Sequence, residues 1–213
     1  MGRKDDRVYK IADGMRGASR EAQFPAVLEM LGIPYTGSGP QTLATALDKA
    51  RTKEVLAHHG ICVAGFTTSE DTQATLPKLL PNADYPVVVK PLSEGSSKGV
   101  KNSSFVKNEA EIRAEIDRIK EDYDQPASIE EFLPGREFTV AVLGNGANAK
   151  VLPIVEIKLS ELPPEANGIY SYEAKWIYDV TDNPLDIFSC PAELTSQLQK
   201  DITDTVLKTY RVL

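Results

Sequence analysis

Two hydrophobic periods alternate along this chain. The helical period is clearest between Asn108 and Tyr123, where Ile112, Ile116, Ile119 and Tyr123 recur three or four residues apart. Asn108 with Glu111 resembles a capping box, and Gln125-Pro126 ends the pattern. Pro191 to Tyr210 predicts a last helix, with Leu194, Leu198, Ile202, Val206 and Tyr210 in register. Ser19 is the candidate N-cap of a helix running through Leu31, with Ala26, Val27, Met30 and Leu31 on one face and Gly32 as its stop. Gln41 to His59 also has helical periodicity, with a break near Lys49 and a stop at Gly60.

The period of two, or a short β-branched run, marks the strands. Tyr85 to Val89 (YPVVV), Lys101 to Val106, Ala127 to Glu131, Phe138 to Leu143 and Val151 to Ile157 read this way, with a shorter candidate at Val8 to Ala12. Ile33 to Pro40 (IPYTGSGP) is strand-like and then turns on glycine, and Leu133-Pro134-Gly135 is a turn. Gly144 to Ala149 (GNGANA) matches a dinucleotide fingerprint in letters only. It sits between two strands and opens no helix, so it predicts a hairpin with a primed turn. Glu161 to Ile169 is a loop rich in helix breakers, followed by SYEAKW. That stretch is either an active-site flap or an ordinary surface excursion. Helices and strands mix without strict βα alternation, which predicts an α+β fold.

Composition narrows the class. A chain of 213 residues holds one large domain or two small ones. Hydrophobic content of 41% and charged content of 26% are ordinary for a globular protein. The net charge of −7 argues against a general nucleic-acid surface. Two cysteines, Cys62 and Cys190, make neither a disulfide framework nor a metal set. No apolar run reaches membrane-span length, and MGRKDDR is no signal peptide, so a cytoplasmic protein is expected. The sequon Asn102-Ser103-Ser104 has no use there, and His58 and His59 sit at a helix end where a solvated or dipole-complementing role fits.

The candidate chemistry lies in Lys90 to Val100, KPLSEGSSKGV, directly after the YPVVV strand. A lysine at a strand end followed by a Ser/Gly loop and another extended segment suits a phosphate lid. Glycine lets backbone approach, while Ser96, Ser97 and successive amides supply donors. It is not a Walker loop, because G-x-x-x-x-G-K-[ST] is absent and no strong helix follows. Taken alone, these residues fit a polar hairpin turn with a solvated lysine better. Lys49 and Lys53, four apart, share a face if their helix is continuous, and a solvated basic face is their ordinary fate. Surface strand charge is likewise the plain reading of Glu130, Glu131 and Glu137 taken singly.

The order of the motifs carries more than any one of them. LEMLGIPYTGS (Leu28 to Ser38), ALDKARTK (Ala46 to Lys53), YPVVVKPLSEGSSKGV (Tyr85 to Val100), EEFLPGREFTVAVLG (Glu130 to Gly144), YSYEAKW (Tyr170 to Trp176) and CPAEL (Cys190 to Leu194) resemble, in order and spacing, the D-alanine–D-alanine ligase family of the ATP-grasp superfamily. With the preceding REAQFPAVLE, the first block also resembles a related carboxylate–amine ligase branch.

That resemblance implies ATP held between two α+β subdomains, phosphorylation of a carboxylate, and attack by an amine on the acyl-phosphate, in peptidoglycan precursor synthesis. It implies phosphate contacts from Lys49, Lys90 and Lys175, and a lid from Gly95, Ser96 and Ser97 with the Gly99 backbone. Glu130 would accept the adenine amino group, Phe132 and Leu133 would line the adenine slot, and Glu137 would bind the ribose hydroxyls. Ser96, Lys175 and Trp176 match catalytic positions. Trp176 stands where the family has a tyrosine hydrogen-bonded to the lid serine, which leaves substrate choice open. The implied small-molecule substrate is D-alanine or a similar amino acid, with no nucleic acid and no membrane; the family commonly forms homodimers, and the sequence leaves open whether this chain does.

The resemblance also implies an ATP-grasp division. Residues 1–38 would be the tail end of an α/β N-terminal substrate domain, 39–131 the central lid subdomain, and 132–213 the first part of the C-terminal subdomain. Mg²⁺ is expected for a full enzyme, but the matching acidic ligands are not found in this chain, and Asp182-Asn183-Pro184 belongs to the flap exit. The expectation is therefore a ligase fragment, inactive alone. A non-catalytic nucleotide-binding remnant, or a carboxylate–amine ligase with another substrate, are the alternatives. The last helix, lacking strands to pack on, is expected to be marginally stable.

Overall fold

The computed structural model describes residues 7–71, 84–180 and 184–213. The charged opening Met1–Asp6 and the Asp182-Asn183 part of the flap exit lie outside them. The helices are α1 (Gln23–Met30), α2 (Pro40–Leu47), α3 (Lys49–His58), α4 (Glu109–Tyr123) and α5 (Ser196–Val212). The strands are β1 (Phe66–Thr68), β2 (Val87–Pro91), β3 (Phe105–Val106), β4 (Ala127–Glu131), β5 (Glu137–Thr139), β6 (Val142–Leu143), β7 (Lys150–Val151), β8 (Val155–Ile157) and β9 (Phe188–Ser189).

The first sheet is antiparallel throughout, in the order β1-β4-β2-β3. One face packs on α4. Val87, Val89, Val106, Ala127 and Ile129 from the strands enclose Ile112 and Ile119 from the helix, with Ile116 against them. Because side chains alternate along a strand, committing Val87, Val89 and Ile129 to that core sends Val88, Lys90, Ser128 and Glu130 to the opposite face. The register sets Val88 opposite Glu130 and Lys90 opposite Ser128. This sheet therefore delivers a lysine and a glutamate side by side to its non-helical face.

A second sheet has the order β5-β8-β9, and β6 and β7 form a separate two-stranded hairpin. The second sheet's core gathers Ile157, Leu162, Ala166, Ala174 and Ile187, with Tyr170 and Tyr178 against them. Leu162, Ala166 and Ala174 come from the breaker-rich loop and the flap, so that stretch is packed structure. The flap ends in one turn of π-helix, Ala174–Tyr178.

Several expected elements differ in detail. Val8–Ala12 forms no strand, only an isolated parallel bridge between Val8 and Tyr35. Ser19 makes no side-chain cap; a 3₁₀ turn, Arg20–Ala22, precedes α1, whose Val27, Met30 and Leu31 are exposed. The break expected near Lys49 falls at Asp48, which leaves helical geometry and accepts the Arg51 N–H to cap α3. Glu111 accepts from the Lys107 N–H, one residue before the position a capping box uses, while Asn108 caps α4 as expected. GNGANA is a hairpin, but its link between paired Leu143 and Lys150 is a longer loop with a 3₁₀ turn, Gly146–Asn148, not a two-residue primed turn. The last helix starts at Ser196 because Thr195 caps it through the Leu198 N–H. Leu198, Ile202, Val206 and Tyr210 are half-buried, and no residue of α5 is fully buried. Among the described residues no helix is long and apolar enough to cross a membrane.

Candidate nucleotide-binding cleft

A cleft of about 400 Å³ lies on the non-helical face of the first sheet, between it, the loop after β2 and the flap. That volume falls in the range of small-molecule sites. Lys49, Lys90, Gly95, Ser96, Ser97, Glu130, Phe132, Leu133 and Glu137 all line it, joined by Tyr170. Nine positions from α3, β2, β4, β5 and two loops thus converge on one space. Lys175 and Trp176 are not among the lining residues. The Lys175 ammonium instead sits 5.9 Å from the Tyr170 ring centre and 5.6 Å from that of Trp176.

Glu130 anchors the floor. It is 5% exposed, and Lys53 and Lys90 each reach its carboxylate at 2.7 Å. The Ser128 hydroxyl donates to the same carboxylate at 2.8 Å. Burial by itself would raise the pKa of Glu130, but the charges and hydrogen bonds of Lys90 and Lys53 outweigh it and hold the value at about 2. Lys53 had no individual role in the sequence reading; here it bridges α3 to β4 and lies 5.4 Å from the Phe66 ring centre. Its signal was the four-residue spacing from Lys49, which puts both on one face of α3.

Lys49 is held differently. Its ammonium donates to the Glu94 carbonyl at 2.6 Å and to the Leu92 carbonyl at 3.5 Å. Burial and then the Lys90 charge lower its pKa to about 8. Glu137 keeps solvent contact, yet the cleft walls crowd its carboxyl and push its pKa up, with Lys90 opposing. Among the described residues the Glu137 carboxylate makes no hydrogen bond or ion pair. Phe132 stacks edge-on against Phe105, ring centres 5.0 Å apart. Leu133 is 68% exposed and forms rim, not wall.

The loop after β2 is built for close backbone approach. Ser96 and Ser97 both have left-handed backbone, with φ of 53° and 59°. Lys98 and Val100 donate their N–H groups back to Gly95 and Ser97, closing two tight turns. The N–H groups of Gly95, Ser96 and Ser97 meet no protein acceptor among the described residues, leaving three successive donors of the kind that form an anion nest. The flap is latched onto this loop. Ser97 donates its hydroxyl to the Tyr170 carbonyl at 2.9 Å, the Tyr172 N–H reaches the Val100 carbonyl at 2.6 Å, and the Trp176 indole N–H reaches the Ser96 carbonyl at 3.1 Å. Trp176 therefore does bond to Ser96, but at its main chain.

Among the described residues no group of three or more His, Cys, Asp or Glu side chains is arranged to hold a metal ion. These described residues do not by themselves supply the oxygen donor set of an Mg²⁺ site.

An α+β, ATP-grasp-like protein is what this architecture defines, and comparison with known proteins agrees. Residues 55–213 match the family model described as D-ala D-ala ligase C-terminus. The chain is 35% identical over 208 residues to the D-alanine–D-alanine ligase of Bordetella petrii, covering 98% of this chain and 58% of that one. Among solved structures, the D-alanine–D-alanine ligase from Coxiella burnetii superposes with a TM-score of 0.71 at 25% identity, over 97% of this chain and 51% of that one. The VanG D-Ala:D-Ser ligase from Enterococcus faecalis gives 0.68 at 26%, over 90% and 52%. The chain belongs to the D-alanine–D-alanine ligase family, in its C-terminal region, and spans somewhat over half the length of these relatives.

Proposed function

We propose that the cleft binds ATP and that the protein contributes it to an ATP-dependent ligase reaction of the D-alanine–D-alanine type. The observation that carries this is the opposition of cations to unpaired amides. Lys49 and Lys90 line the same cleft as three successive N–H groups that have no partner among the described residues. A polyphosphate satisfies both at once, and phosphoryl transfer depends mainly on such positioning and charge neutralisation.

In this reading Lys49 and Lys90 hold phosphate oxygens and Gly95, Ser96 and Ser97 cover them. Phe132 and Leu133 flank the adenine, Glu137 accepts ribose hydroxyls, and Glu130 accepts from the adenine amino group while it keeps Lys53 and Lys90 in place. Lys175, now drawn to Tyr170 and Trp176, reaches the phosphates by a change of side-chain conformation. The reaction has two steps. A carboxylate oxygen of the first amino acid attacks the γ-phosphorus and the bond to ADP breaks. The amine of the second then attacks the acyl carbon, phosphate leaves, and the nitrogen loses a proton.

The division into residues 1–38, 39–131 and 132–213 belongs to the same proposal, as do D-alanine or a similar amino acid as substrate and a place in peptidoglycan precursor synthesis. Two measurements test it. Mg-ATP should change the emission of Trp176, the single tryptophan, which sits on the lid. D-alanine-dependent phosphate release should then be assayed. Release that is lost in Lys90→Ala supports the ligase reading. Binding without release supports the nucleotide-binding alternative, and the absence of ATP binding overturns both.

A further inference from the structure

We propose that Arg20 is a positioning residue for the phosphate-facing loop, acting through Glu94. The inference rests on reading the cleft as a nucleotide site. Arg20 lies in the turn before α1, far in sequence from the loop it touches. One guanidinium nitrogen donates to the Ser93 carbonyl at 2.9 Å and another to the Glu94 carboxylate at 2.8 Å. Both side chains are mostly buried, 16% and 12% exposed, so this is not a loose surface pair. Gln125 completes the arrangement. It donates to the other Glu94 carboxylate oxygen at 3.0 Å and accepts the Ser93 N–H at 2.7 Å.

Glu94 immediately precedes the three unpaired amides. Its carboxylate is held by Arg20 and Gln125, and its carbonyl by Lys49 at 2.6 Å. A trans peptide is planar, with its carbonyl and the following N–H pointing in opposite directions. Fixing the Glu94 carbonyl therefore fixes the direction of the Gly95 N–H, and fixing the Ser96 carbonyl through Trp176 does the same for the Ser97 N–H. A nest binds an anion only if its amides converge. Lys49 sets the start of that convergence at the Glu94 carbonyl, and Arg20 with Gln125 holds Ser93 and the Glu94 side chain so that this carbonyl stays within reach of Lys49. That support also makes the segment before α1 part of the cleft's scaffold, although no described residue of that segment lines the cleft.

The role predicts a selective defect. Contacts to phosphate should suffer while contacts to the base and sugar, carried by β4 and β5, should not. Titrating Trp176 emission with Mg-ATP and separately with adenosine, in the wild type, Arg20→Ala, Arg20→Lys and Glu94→Ala, reads this directly. Arg20→Ala and Glu94→Ala should weaken Mg-ATP about tenfold, the effect of losing one charge-assisted hydrogen bond, with adenosine affinity unchanged. Arg20→Lys should recover part of the loss. Equal weakening of both ligands in Arg20→Ala would reduce Arg20 to general stability, and no change in either would remove it from the loop's support; both outcomes overturn the inference. A wild type that responds to neither ligand overturns the nucleotide reading itself, and this inference falls with it.

Discussion

Lys53 in α3 and Glu130 in β4 meet at 2.7 Å, although most of the first sheet lies between them in sequence. The same carboxylate also receives Lys90. One buried anion thereby aligns two cations from different elements and joins helix to sheet beneath the cleft. Removing a buried charge from such a set costs more than it was worth, because the surviving charges lose compensation. Glu130→Gln keeps the shape and removes the charge. It should destabilise the fold by about 3 kcal/mol, measured as a shift in urea midpoint. A change within experimental scatter would mean the lysines find other partners.

The same group sets an acid limit. Its pKa falls from an ordinary 4.5 to about 2 in the folded protein. A carboxyl whose folded pKa is depressed contributes stability that is present above the unfolded pKa and is lost as pH falls through the folded one. The contribution, about 3 kcal/mol, should therefore decline between pH 4.5 and 2. Stability measured against pH should fall more steeply across that window in the wild type than in Glu130→Gln.

Lys49 titrates in the opposite regime. Its pKa of about 8, against an ordinary 10.5, means that its charge is lost as pH rises through 8. Mg-ATP affinity should weaken above that pH, by no more than about tenfold per unit because one proton is involved. In Lys49→Arg the dependence should flatten. Fold stability moves the other way: the unfolded chain holds the proton more tightly, so this group's contribution becomes more favourable between pH 8 and 10.5. Trp176 emission titrations on both sides of pH 8 separate these effects from unfolding.

Trp176→Phe isolates the latch. The ring stays and the N–H bond to the Ser96 carbonyl goes. The bond lies at a side chain that is 53% exposed, so the melting midpoint should move by less than about 2 °C. Amide hydrogen exchange at Lys98 and Val100, whose N–H groups close the two turns of the loop, should nevertheless speed up, since local opening of the loop costs less. Unchanged exchange there would assign closure to Ser97 and Tyr172 alone.

Gly99 tests the root of the loop. Its φ is +74°, and a Cβ there would stand 2.3 Å from the Pro91 side chain and 3.0 Å from the Tyr123 ring. Pro91 is fully buried at the end of β2 and has nowhere to go. Gly99→Ala should cost about 2–3 kcal/mol in urea unfolding, combining backbone strain with overpacking.

Local sequence determined most of the elements and the residues that meet in the cleft. The isoleucine spacing of α4, the alternation that sends Lys90 and Glu130 to one face, and the break between α2 and α3 all follow from short-range periodicity and capping. The ordered motifs were enough to name the family, and nine of the marked positions line a single cleft. Lys175 and Trp176 lie outside that lining: the π-turn carrying them packs Ala174 into the second core, and leaves the Trp176 indole on the Ser96 carbonyl and the Lys175 ammonium over the Tyr170 and Trp176 rings. What tertiary structure alone decided were the partners: Lys53 with Glu130, Arg20 with Glu94, Arg118 with the Gly99 carbonyl at 2.8 Å, and Trp176 with the Ser96 main chain. A charged side chain looks the same in sequence whether it ends in water or in an ion pair. The choice depends on which distant segment folds against it, and local periodicity carries no record of that.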